Sequence, residues 1–276
     1  MSRKRRLLAL AMLPLAAQAV AEDKPLWEFG LGAASLSFPA YRGSDQRRNF
    51  LLPVPYLIYR GEVLKADQRG LRGELFDSDR IELSISAALS PPVSSHEIDA
   101  RAGMPNLKAS AEIGPQLDLT LWRSPDRERQ LRLLVPLRAA FTLEGSPRDI
   151  GWVANPKLNL DINDLPGLGG WRLGLLVGPV YGDRRQHAYY YSVDTPYATA
   201  SRPAYNASGG YAGMQYLAAL SRRYRDFWVG AFVRYDNLSG ASFADSPLVR
   251  SKDYLAGGLA FSWIFSESST RVRSDD

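Results

Sequence analysis

The sequence predicts an all-β fold: an antiparallel transmembrane β-barrel of twelve strands whose lumen is polar and occluded. Three observations carry this reading. Residues 107 to 121 place Leu107, Ala109, Ala111, Ile113, Leu117, Leu119 and Leu121 on one parity and Lys108, Ser110, Glu112, Gln116, Asp118 and Thr120 on the other. That is the period of a strand with one apolar and one polar face. Such runs exceed the roughly 5 to 6 residues usual in strands and suit the roughly 9 to 11 that a tilted strand needs to cross a bilayer. Second, the links between runs alternate between short and long, as in a barrel with short periplasmic turns and long external loops. Third, the chain opens with an export signal and has no later apolar run long enough for a membrane helix.

That signal occupies residues 1–21. Arg3, Lys4, Arg5 and Arg6 form a basic segment, Leu7 to Ala17 an apolar one, and Ala19-Val20-Ala21 the small residues before cleavage at Glu22. The four basic residues account for most of the formal charge of +5, leaving the exported chain near +1. Nothing there favours a nucleic acid or an acidic substrate. Cysteine is absent, which excludes disulfide scaffolds, thiol catalysis and cysteine metal sites.

The barrel domain, 22–265, is read strand by strand. Residues 26–38 place Trp27, Phe29, Leu31 and Ala33 on one face. Residues 50–59 are apolar on both parities and carry Pro53 and Pro55, so this strand is irregular or bulged. Runs 62–66 and 70–76 flank a tight turn at Asp67-Gln68-Arg69-Gly70, and counting them separately brings the total to an even twelve. Run 80–89 and the run ending at Leu143 alternate as cleanly as 107–121. The remaining strands are 152–162, 171–181, 209–222, 227–237 and 253–265. Trp122, Trp152, Trp171, Trp263, Tyr181 and Tyr235 fall near strand ends, where amphipathic rings sit at headgroup level. Residues 266–276 form a polar tail, expected to be unstructured. The same alternation would bury the core of a soluble sandwich or lipocalin-like barrel. Strand length, loop alternation and aromatic placement favour the membrane.

On the polar parity Lys108, Glu112, Asp118, Arg132, Arg138, Lys157, Asp161, Arg172, Arg234 and Asp236 are expected to line the lumen. Charges inside a narrow barrel must pair, which gives a structural polar core; rings of unpaired charge would instead give a solute pathway. Barrels of about 8 strands are filled by side chains and those of 16 to 18 keep a channel, so twelve lies between. The periplasmic turns carry Arg123, Asp126, Arg127, Glu128 and Arg129, then Arg222, Arg223 and Arg225, a charged rim within reach of a periplasmic partner.

Phe38-Pro39-Ala40-Tyr41-Arg42-Gly43-Ser44-Asp45, then Pro53-Val54-Pro55-Tyr56, then Asp67-Gln68-Arg69-Gly70-Leu71, resembles the opening of the MltA-interacting protein (MipA/OmpV) family. Tyr189-Tyr190-Tyr191-Ser192-Val193 followed by Ala200 to Gly210 is similar to that family's most recognisable stretch. The resemblance covers about Leu26 to Phe265 and implies an outer-membrane barrel set among outer-membrane lipid. It implies a non-catalytic role: a scaffold joining a lytic transglycosylase to a penicillin-binding protein. One departure is that the aromatic residue closing the last strand, Phe265, is followed by the tail.

Chemical motifs are weak. His96 and His187 are the only histidines, both in long loops. His187 with a nearby serine would be the start of a hydrolase or lipid-modifying site, but no nucleophile elbow accompanies it. His96, Glu97 and Asp99 lack the spacing of two ligands on one helix face. Gly30-Leu31-Gly32 begins a dinucleotide-like pattern but lies inside an alternating strand, so no cofactor is expected.

Overall fold

The structure is a computed structural model that describes residues 23–61, 64–67 and 70–273; the expected signal segment 1–21 lies outside them. Its strands are β1 (Asp23–Pro25), β2 (Trp27–Pro39), β3 (Arg47–Arg60), β4 (Leu64–Asp67), β5 (Gly70–Asp77), β6 (Ile81–Ser90), β7 (Ser110–Arg123) and β8 (Arg129–Thr142). They continue as β9 (Asp149–Ala154), β10 (Lys157–Ile162), β11 (Trp171–Gly182), β12 (Gly210–Arg223), β13 (Phe227–Asn237), β14 (Asp253–Glu267) and β15 (Arg271–Arg273). One α-helix, α1 (Arg184–Tyr191), stands in a loop.

All pairings are antiparallel, and β2 to β14 follow one another around a single large sheet. β14 pairs with β2, while β9 and β10 both lie between β8 and β11, so the pairings lead back to their start. β9 and β10 are the halves of one wall strand, which gives the twelve staves expected. The break falls at Asn155-Pro156 because proline has no N–H for the ladder. Gly178 faces it: a side chain there would collide with the Pro156 carbonyl and meet the Lys157 Cα at 2.7 Å.

The faces sort by parity. Leu31, Ile113, Leu121, Leu137, Leu259 and Phe261 point outward and are exposed, the pattern of a lipid-facing wall. Trp122, Trp152, Trp263, Tyr181 and Tyr235 are exposed near strand ends as an aromatic belt requires. Gly30 and Gly32 point inward with no room for a Cβ against the β14 backbone. They allow close approach of two strands.

The turns 78–80, 124–128, 163–170 and 224–226 lie at the end of the barrel that holds Trp27 and Glu267, the end expected to face the periplasm. The long connections 40–46, 91–109, 183–209 and 238–252 lie at the other. Two expectations need correction. β3 is longer than its apolar core and pairs with β2 without a register shift from Arg47 to Tyr59, through both prolines. The tail is not unstructured along its length: Arg271–Arg273 pair with Asp23–Pro25, a two-stranded ribbon joining the chain ends below the barrel.

Candidate functional site

The long loops do not stand away from the barrel; they fold into its external mouth as a plug with its own core. Tyr191 at the end of α1 stacks on Phe243, ring centroids 3.6 Å apart and planes within 7°. Ile98, Val193, Leu238 and Leu248 are buried with them, although they come from three different loops. Apolar residues in loops bury one another because no strand face is left to cover them.

Arginines and hydroxyls fasten the plug to itself and to the wall. Arg202 donates to the carbonyls of Ala100, Ala102 and Tyr197, and Arg101 to those of Tyr190 and Pro105. Such charge-assisted bonds satisfy the carbonyls that irregular backbone leaves open. Tyr41 donates to the Leu248 carbonyl at 2.7 Å and Tyr191 to that of Arg42 at 3.0 Å. Asp183 caps α1 by accepting from the Gln186 amide at 2.8 Å.

His187 lies buried in this plug. Its Nδ1 is 2.7 Å from the Ser208 carbonyl, which can only accept, so Nδ1 carries the proton. Ser242 Oγ sits 3.1 Å from the same nitrogen and donates to the same carbonyl. The structure thus does bring a serine to His187, but at the protonated nitrogen. Nε2, which would serve as base, has no hydroxyl. Burial, with Arg42 nearby, pushes the His187 ring below its ordinary range.

Beneath the plug, the sequence-predicted lumen residues form two groups. Arg132 spans Asp118 at 3.7 Å and Asp161 at 2.7 Å, while Arg138 binds Glu112 at 3.2 Å. With Lys157 on the same inward parity of β10, these six charges balance. Higher up, Arg234 and Arg42 share the fully buried carboxylate of Asp236, at 2.7 and 3.2 Å. Arg172 also faces inward, opposite Ser221. Lys108 lies just before β7, which begins at Ser110; its side chain is 50% exposed beside Glu144 and lines the cavity beneath the plug. Arg42 is the residue that sequence reading missed, because it sits in a loop with no periodicity to place it.

The periplasmic rim is more divided than the sequence suggests. Arg123, Asp126, Arg127 and Arg129 are exposed around the 124–128 turn. Ser124 and the Glu128 amide hold the Asp126 carboxyl below its usual range. Arg222 stacks on Tyr224 and Arg225 is 96% exposed. Arg223 is a correction. It lies on the inward parity of β12 and, with Arg60, closes on the buried Glu28 carboxylate at 3.0 and 2.9 Å, so it belongs to the lumen floor.

A family model described as MltA-interacting protein MipA matches residues 31–265. The chain belongs to the MltA-interacting protein family. Among solved structures, this family member is similar to a "Bacterial polysaccharide outer membrane secretin" at 10% identity and TM-score 0.40, covering 87% of this chain and 98% of that one. It is also similar to the outer membrane protein OprD from Pseudomonas aeruginosa, at 7% identity and TM-score 0.28, covering 92% and 97%. No curated protein matches. As an antiparallel barrel with a lipid-facing wall, the MipA-family chain is an outer-membrane protein.

Proposed function

We propose that this chain is a non-catalytic outer-membrane barrel that works as a scaffold for murein synthesis and remodelling, holding a lytic transglycosylase and a penicillin-binding protein at its periplasmic rim. The observation that carries the reading is an asymmetry between the two ends. The external mouth is filled by a packed plug, whereas exposed arginines crowd the periplasmic turns. A filled mouth and the balanced group of charges around Arg132 and Arg138 count against an open pore, and a histidine with no serine at its basic nitrogen counts against a hydrolase. The partner classes come from the family's name and from the resemblance at residues 38–45 and 189–210.

The test is affinity capture from a detergent extract, with Arg129→Glu and Arg225→Glu beside the unaltered chain. The scaffold reading expects both enzymes with the unaltered chain and less of each with the charge reversals. Recovery of neither enzyme would overturn it.

A further inference from the structure

The wall of the barrel has a slit in its outer half. Among the described residues, β4 pairs with β3 only at Tyr59 and Arg60, and β5 pairs with β6 only as far as Ile85. The pair Asp67↔Gly70 closes their hairpin, so it ends well short of the external rim on the β3 side. From Arg47 to Ile58, β3 therefore has a flank with no strand beside it among the described residues. Pro53 and Pro55 lie on this stretch, and residues two apart direct their backbone N–H groups to the same side. Since the β2 ladder is unbroken, the donors they omit are those of the slit edge. Across the top, Arg48 donates to the Pro92 carbonyl at 2.9 Å and Gln46 bonds the backbone of Glu97 and Asp99. The slit is thus framed on all sides.

Inside the slit the lumen is apolar. Phe38 stacks on Phe50 at 5.1 Å, and Leu52 follows on the same luminal face, 43% exposed. Phe38 also lines a cavity of 370 Å³ beneath the plug that reaches Leu89, Ser90 and Pro91, on the other edge of the slit. That volume falls in the range of small-molecule sites. At its inner end the chemistry changes. Arg42 and Arg234 share one carboxylate, so one positive charge is left over, and Arg42 Nη2 and Tyr254 Oη are buried side by side with no partner beyond each other.

We propose that the slit is a lateral port through which a single-chain amphiphile with an anionic head enters from the outer leaflet. Its head is held at Arg42 and Tyr254, and its acyl chain lies along Phe38, Phe50 and Leu52 back to the slit. An apolar track that opens to lipid and ends at an unneutralised guanidinium matches a fatty acid or an anionic lysolipid, and no neutral solute uses both ends.

The test places the full barrel in phosphatidylcholine vesicles and follows energy transfer from its tryptophans to dansyl-undecanoate. Laurate, lauroyl lysophosphatidylglycerol and dodecanol serve as competitors. Expected are saturable transfer and displacement by the anionic competitors at least about tenfold better than by dodecanol. The tighter of the two anionic competitors names the source of the ligand. Arg42→Gln, which leaves a balanced Arg234–Asp236 pair, and Leu52→Trp, which narrows the track, should each weaken binding about tenfold or more. Absence of saturable transfer, dodecanol competing equally, or wild-type binding by both variants would overturn the proposal. Folding of each variant is checked by its heat-dependent gel mobility. If Arg42→Gln fails to fold, Leu52→Trp decides alone, because Leu52 lies outside the plug.

Discussion

Arg42, in the first external loop, donates from Nε to Oδ1 of Asp236, on the wall strand β13, at 3.2 Å across 194 positions of sequence. Arg234 takes the other oxygen of the same carboxylate and Gln215 shares the first. One buried anion therefore locks the plug to the barrel. Asp236→Ala leaves two guanidinium groups without their counter-charge, and breaking a buried pair in this way costs roughly 3–5 kcal/mol. The expected result is a lower unfolding midpoint in urea and earlier loss of the heat-resistant gel form, with Asp236→Asn intermediate.

Phe243 stacks on Tyr191 and is fully buried at the centre of the plug. Phe243→Ala should cost roughly 3–5 kcal/mol of plug packing, since the cavity has no wall strand to collapse onto it. Single-channel recording in planar bilayers is the measurement. Conductance that appears in the variant but not in the parent shows that the plug, and not the charges below it, occludes the lumen.

The plug should also loosen in acid. His187 is buried and its pKa is lowered, chiefly by burial and further by Arg42, while the Ser208 carbonyl and Asp183 oppose the shift. Above the ordinary histidine value of about 6.5 the ring is neutral in both packed and released states, and the full packing energy is present. As pH falls below that value the released state binds the proton more readily, so stability is lost toward the lowered pKa. Proteolysis within the 183–209 loop should accelerate below about pH 6.5. His187→Gln should flatten this dependence; an unchanged pH profile in that variant would sink the assignment to His187.

Gly178 packs against the broken stave at Pro156, where a side chain would strike backbone. Gly178→Val should force β11 away from β10 at a cost of roughly 1–3 kcal/mol. Reduced yield of the folded, heat-modifiable form is the readout, with Gly145→Ala, whose surroundings are open and whose backbone is not left-handed, as the control in a loop.

At the periplasmic floor, Glu28 is the shared partner of Arg60 and Arg223. Glu28→Gln should destabilise the barrel while leaving the exposed Arg225 untouched. Partner capture that survives Glu28→Gln but falls with Arg225→Glu would separate stability from recognition.

The wall was legible in the sequence because a strand writes its two faces into alternate residues. Ile113 and Leu137 read as lipid-facing and Glu112 and Arg138 as luminal from parity alone, and they pair where a narrow lumen requires. Parity also should have turned Arg223 inward, since it continues the odd positions of β12; treating it as a turn residue hid that. At Lys108 the alternation runs on past the point where the ladder stops at Ser110, so a loop and not the sheet carries it to the cavity wall.

By itself, then, the sequence determined that the chain is a β-barrel, how its staves are faced, and which family it resembles, all properties set by local periodicity and short motifs. Only the tertiary structure decided that the loops form a plug, that Arg42 completes the Asp236 site, and that a short hairpin leaves a slit beside β3. These depend on contacts between residues far apart in the chain and on where pairing ends. Such contacts have no period, and so leave no trace in the order of residues.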